Sequence, residues 1–102
     1  MCYIEFYFYL QLSAMEKRQQ SDRKLIFDDE GIAAFALQLK KIRIREGFTQ
    51  SQLAFESGIS LSQIARIETA RINPTLSTVF KLTRTLNVPL TDLFDFELTT
   101  KE

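Results

Sequence analysis

The stretch "GFTQSQLAFESGISLSQIARIE", Gly47 to Glu68, constrains this chain most. It holds two short amphipathic patterns with one glycine, Gly58, between them. Two helices joined by so tight a turn need three things. They need a small residue where they approach, a glycine free to take positive φ, and branched apolar residues that anchor the second helix. Ala54, Gly58, Ile64 and Ile67 fill these roles at spacings of four, six and three. That spacing also suits a short αα-hairpin inside any helical bundle, so it fixes local geometry before it fixes function.

The flanking sequence extends the helical reading. From Asp28 the pattern becomes helical, with Phe35, Leu39 and Ile42 at i, i+4 and i+7 on one stripe. Asp28, Asp29 and Glu30 stand ahead of it, where acidic residues suit a helix N-terminus. Gly47 is a good residue to follow its end. Thr49 reads as an N-cap with Gln52 completing a capping box, and Ser60 reads as the next, with Gln63 at the third position and Ile59 as a staple. Leu53 and Ala54 point inward on the first of these helices, Ile64 and Ile67 on the second. Asn73-Pro74 breaks the chain. Thr75 caps a fourth helix carrying Leu76, Val79, Leu82 and Leu86, which Asn87 ends. Pro89 starts a short last helix whose Leu90, Leu93 and Phe94 close the core.

The chain has 102 residues, enough for one small domain. It has 45% hydrophobic and 25% charged residues, a globular composition. With no histidine and one cysteine, Cys2, it has neither an internal disulfide nor a nitrogen–sulfur zinc site. A reduced cytoplasmic compartment is the expectation, and no apolar run is long enough to span a membrane. No cofactor or metal is expected. The chain does not read as an enzyme: there is no nucleophile motif and no glycine-rich phosphate loop, and Ser57 and Ser60 are explained by turns and caps. Its formal charge of zero is unevenly placed. Residues 40–85 carry eight basic and three acidic side chains, a net +5, while residues 1–39 carry −2 and residues 86–102 carry −3. A central domain with a basic face is compatible with a neutral chain.

With these landmarks in order, residues 35–94 resemble the Cro/CI-type helix-turn-helix family, the DNA-binding domain of lambdoid phage repressors and many small bacterial regulators. The landmarks are "IR…GFTQ", "LA…SGIS", "IARIE" and "NPTLSTVFKL". The resemblance implies an all-α, five-helix, lambda-repressor-like fold with Ser60 to about Thr69 as the recognition helix. Once Ile64 and Ile67 face the core, Leu61, Ser62, Gln63, Ala65 and Arg66 are left outward for base edges. Ser62, Gln63 and Arg66 would act by hydrogen bonds, and Leu61 and Ala65 by thymine methyl contact. Gln63 has capping as its alternative role, and Arg66 has a phosphate clamp. Gln50 matches the family's glutamine at the start of the second helix, which meets a phosphate together with the helix amides. Arg71, Asn73 and Thr75 match its backbone-contacting loop. Arg43 and Glu68 match an arginine–glutamate pair that pins the recognition helix to the first helix.

The expected organisation is an N-terminal extension over 1–27, flexible or in dimer contact, the DNA-binding domain over 28–96, and a tail over 97–102. The opening "MCYIEFYFYLQLSA" favours strand. It reads as a dimerisation strand, a membrane-seeking arm, or an extension ahead of a start at Met15. The tail "LFDFELTT" alternates Phe94, Phe96 and Leu98 with acidic residues, a strand period that suggests a small sheet with the N-terminus. Phe55 departs from the family's usual polar residue and offers, with the aromatic termini, a surface for a protein partner. The implied function is a sequence-specific regulator binding double-stranded DNA as a homodimer on a palindromic operator. The alternative is a protein-interaction module of the same fold, antitoxin-like or polymerase-binding. No ligand-sensing domain is expected in a chain of this size, which resembles stand-alone repressors, antitoxins and restriction–modification controllers.

Overall fold

The computed structural model describes residues 25–101, in which five helices and no strands are found. They are α1 (Asp29–Arg45), α2 (Gln50–Ser57), α3 (Leu61–Glu68), α4 (Leu76–Leu86) and α5 (Leu90–Leu93). Phe35, Leu39 and Ile42 of α1 are buried as one stripe, and Leu53, Ile64, Ile67, Val79, Leu82, Leu86 and Leu93 complete a single core. The side chains of Leu39, Leu53, Ile64, Leu82 and Leu93 are wholly removed from water. Each such burial contributes about 1.5–3 kcal/mol, so the short helices are held by packing more than by their own propensity.

The ends of the helices are chemically defined. Asp28 is the N-cap of α1 and accepts from the Gly31 amide at 2.9 Å, so Asp29 and Glu30 lie inside the first turn rather than ahead of it. There they still face the positive end of the helix dipole. Thr49 and Gln52 form a reciprocal capping box on α2. At Ser60 only half of the box is made. Its hydroxyl accepts from the Gln63 amide at 3.1 Å, without the reciprocal bond from the Gln63 side chain. Pro89 occupies the cap position of α5, one residue before the first helical one. Three helices close with the same pair of backbone bonds. Phe48 and Gly47 donate to Arg43 and Ile44, Arg71 and Ala70 to Arg66 and Ile67, and Val88 and Asn87 to Thr83 and Arg84.

The tail departs from the expectation of a strand. Residues 95–101 are irregular, and the N-terminal half of the suggested sheet lies outside the described residues. Phe94 and Phe96 instead turn back onto α1. The Phe35 and Phe94 rings lie 5.4 Å apart and the Phe94 and Phe96 rings 6.1 Å apart. The amide and hydroxyl of Thr99 donate to Glu30 at 2.8 and 2.9 Å. The alternation of apolar and acidic residues therefore sorts one side toward the domain and the other toward water, with no neighbouring strand among the described residues. At the other end of α1, Gln38 donates to the Asp92 carbonyl at 2.7 Å and Arg45 to the Asp92 carboxylate at 3.1 Å. The hydrogen bond to Asp92 raises the pKa of the exposed Arg45 guanidinium.

Candidate nucleic-acid interface

The outward side of α3 is shaped by what its other side buries. Ile64 and Ile67 lie on the core side of α3 with 0% and 1% exposure. The opposite side presents Leu61, Ser62 and Arg66 in the open, with Gln63 and Ala65 half-buried beside them. Because the reciprocal capping bond is missing, the Gln63 amide group is not committed to Ser60. This weakens the capping alternative for its side chain and leaves it available to an incoming polar group.

The orientation of this face is set at the opposite end of the helix. Arg43 Nε donates to Glu68 Oε2 at 2.6 Å, and Arg43 Nη2 to Glu68 Oε1 at 2.9 Å. The pair is bidentate and buried, each residue 8% exposed. Two parallel charge-assisted bonds fix direction as well as distance, so α3 cannot roll on α1 without breaking both. The third arm, Arg43 Nη1, donates to the Phe48 carbonyl at 2.8 Å and holds the connection between α1 and α2.

Gln50 joins the same cluster. Its side-chain amide donates to Glu68 Oε1 at 3.2 Å. Sequence reasoning placed Gln50 at the start of α2 beside a prospective phosphate but did not connect it to Glu68. The bond ties the first turn of α2 to the last turn of α3, and one Gln50 N–H remains outside it.

Arg71, Asn73 and Thr75 lie exposed on the segment between α3 and α4. Thr75 is also the N-cap of α4: its hydroxyl accepts from the Thr78 amide at 3.2 Å and lies 3.0 Å from the Thr78 hydroxyl. Its oxygen is therefore partly committed, which places a direct phosphate contact in competition with the cap. Arg71 has no ion-pair partner among the described residues, and its backbone is fixed by the bond from its amide to the Arg66 carbonyl at 2.9 Å. No cluster of potential metal ligands occurs among the described residues, nor any helix long and apolar enough to cross a membrane.

This arrangement is two short helices at a glycine turn, the second buried on one side, open on the other and pinned at its end. The family model for helix-turn-helix domains, HTH_3, matches residues 39–93, more than half of the chain. The chain belongs to this family. Its relatives are transcriptional regulators. It is 42% identical over 60 residues to the HTH-type transcriptional regulator SlrR of Bacillus subtilis, a match covering 58% of this chain and 40% of SlrR. The chain thus matches well under half the length of that relative. Among solved structures it is similar to the restriction–modification controller protein C.AhdI of Aeromonas hydrophila. That likeness has 30% identity and a TM-score of 0.60, over 62% of this chain and 96% of the controller. It is also similar to the controller protein C.Esp1396I, solved as a tetramer with its natural 35 base-pair operator. There the identity is 26% and the TM-score 0.62, over 67% of this chain and 90% of that one.

Proposed function

We propose that this protein is a sequence-specific DNA-binding transcriptional regulator that acts as a homodimer on a palindromic operator, with α3 in the major groove. The observation that carries the reading is the two-sidedness of α3. One side is locked by Ile64, Ile67 and the Arg43–Glu68 pair, and the other offers Leu61, Ser62, Gln63, Ala65 and Arg66 at its N-terminal end. A helix held in this way presents donors and methyl groups to base edges in a fixed register. Gln50, Arg71, Asn73 and Thr75 flank it at both ends and supply backbone contacts that set the docking angle. The net +5 of residues 40–85 provides the attraction to phosphate.

A homodimer follows from arithmetic. One α-helical turn or two of side chains reads only a few base pairs, each worth about 1–3 kcal/mol of discrimination. Two copies reading half-sites on one face of the duplex multiply that selectivity.

Selection of bound duplexes from a random pool tests the reading directly. The expected product is an inverted repeat with half-site centres about 34–36 Å apart, one helical turn. A pool that never enriches, with binding at the non-specific level throughout, would sink it in favour of a protein-interaction role. Phe55 is the feature that favours that second role, since its ring is 89% exposed on α2.

A further inference from the structure

The outward side of α3 is not uniform. At about 100° per residue, Ile64, Ile67 and Glu68 fall together toward the core, and all three are buried. Ser62 and Arg66, four residues apart, form the line farthest from the core, and both are exposed. Leu61 and Ala65, also four apart, lie on one flank of that line, and Gln63 lies alone on the other. Burial follows this order: Gln63 and Ala65 are half-buried, and Leu61 is 47% exposed in the first turn. One flank is therefore apolar and the other carries an amide. That amide is free to turn outward, since Gln63 makes no reciprocal bond to Ser60. Glu68, the only acidic residue of the helix, is turned inward to Arg43 and Gln50. No carboxylate faces outward, so the face lacks the acceptor-only group that suits a cytosine amine.

We propose that α3 reads one A·T pair per half-site from both of its edges: Leu61, seated beside Ala65, takes the thymine methyl, and Gln63 bonds the adenine N6 and N7. This rests on the DNA reading and names the base pair that reading leaves open. A helix about 10–12 Å across fills a major groove about 12 Å wide, so its two flanks face the two strands. An A·T pair is divided in the same way. Thymine carries its C5 methyl toward one strand, and adenine carries an acceptor and a donor, the pattern of an amide, toward the other. The two flanks also meet the duplex at one level. Gln63 is two residues from Leu61 and two from Ala65, about 3 Å along the axis, less than one base-pair step of about 3.4 Å. Other pairs in this place are penalised. A G·C pair sets the cytosine amine, a donor without a partner, against Leu61 and Ala65. A reversed pair sets the methyl against the Gln63 amide and leaves adenine facing carbon.

Base analogues in the operator selected from a random pool test the pair on the full chain. Uracil in place of thymine removes the C5 methyl alone, and 7-deazaadenine removes the N7 acceptor alone. At one A·T pair per half-site both are expected to weaken binding, uracil by about fourfold for one buried methyl group. In Leu61→Ala the uracil effect is expected to disappear while 7-deazaadenine keeps its effect. In Gln63→Ala the 7-deazaadenine effect disappears and the uracil effect stays. Each comparison is a ratio within one variant, so a general loss of affinity or stability does not enter it. Uracil and 7-deazaadenine effects confined to different base pairs overturn the proposal, as does a uracil effect of full size in Leu61→Ala. A selected operator without any methyl-dependent position overturns it too and leaves the regulator reading intact. A pool that enriches no duplex removes the regulator reading and this proposal with it.

Discussion

Glu68 accepts three hydrogen bonds on two oxygens, from Arg43 Nε and Nη2 and from Gln50 Nε2. Its removal leaves a guanidinium in a nearly closed environment with one remaining partner, the Phe48 carbonyl. Breaking a buried pair from one side costs about 3–5 kcal/mol, because the surviving charge stays desolvated. Glu68→Ala is therefore expected to lower the thermal midpoint by at least about 12 °C, at roughly 4–8 °C per kcal/mol for a domain of this size. A midpoint unchanged in a thermal melt would show that the pair contributes nothing. Removing both charges is a different experiment. Arg43→Met with Glu68→Leu leaves no orphan charge and is expected to recover most of the loss in the same melt.

At the level of elements, the ends of α1 and α3 share one geometry with different residues, as does the end of α4 at Asn87. Gly47 follows α1 at φ +81, and Ala70 follows α3 at φ +59, each donating to the carbonyl three residues back. The left-handed region costs a residue with a Cβ about 1–2 kcal/mol, and glycine gives back part of the gain through its freer unfolded chain. Ala70→Gly is expected to stabilise the domain by about 0.5–1 kcal/mol in denaturant titration. A loss of stability would mean that the Ala70 methyl group contributes packing that outweighs the strain. Caps of this kind explain why so much of the fold was legible in the sequence. Thr49, Ser60, Thr75 and Asn87 act on amides or carbonyls within a few residues of themselves, and the apolar stripes of α1 and α4 need only a common core. The Gln50–Glu68 bond was not legible, because it joins residues 18 apart through the crossing of two helices. Nor was the path of the tail. A period of two distinguishes inside from outside, but a strand and an irregular segment lying on a surface both need that distinction.

For the molecule as a whole, a neutral chain is compatible with the proposed DNA binding because of where the charges lie. The net +5 of residues 40–85 is offset by acidic groups on either side, among them Asp95 and Glu97 of the exposed tail. Counterion release depends on the cations that meet phosphate and much less on net charge, with a slope of about −0.9 in log K against log salt per phosphate neutralised. This separates the two roles open to Arg66. As a reader of guanine it governs sequence, and Arg66→Ala relaxes the selected operator at one position per half-site at a cost of about 1–3 kcal/mol there. As a phosphate clamp it governs salt dependence, and the same change weakens all duplexes alike and flattens the slope. Arg71→Ala provides the reference. Arg71 lies on the connecting segment, with no ion-pair partner among the described residues. Its loss is expected to reduce the slope by about one per subunit, or two for a dimer, without altering which sequence is selected. The measurement is a salt series on the selected operator and on a scrambled duplex for the parent and both variants. If Arg71→Ala changes the preferred sequence and leaves the slope intact, the assignment of backbone and base contacts along this face is reversed.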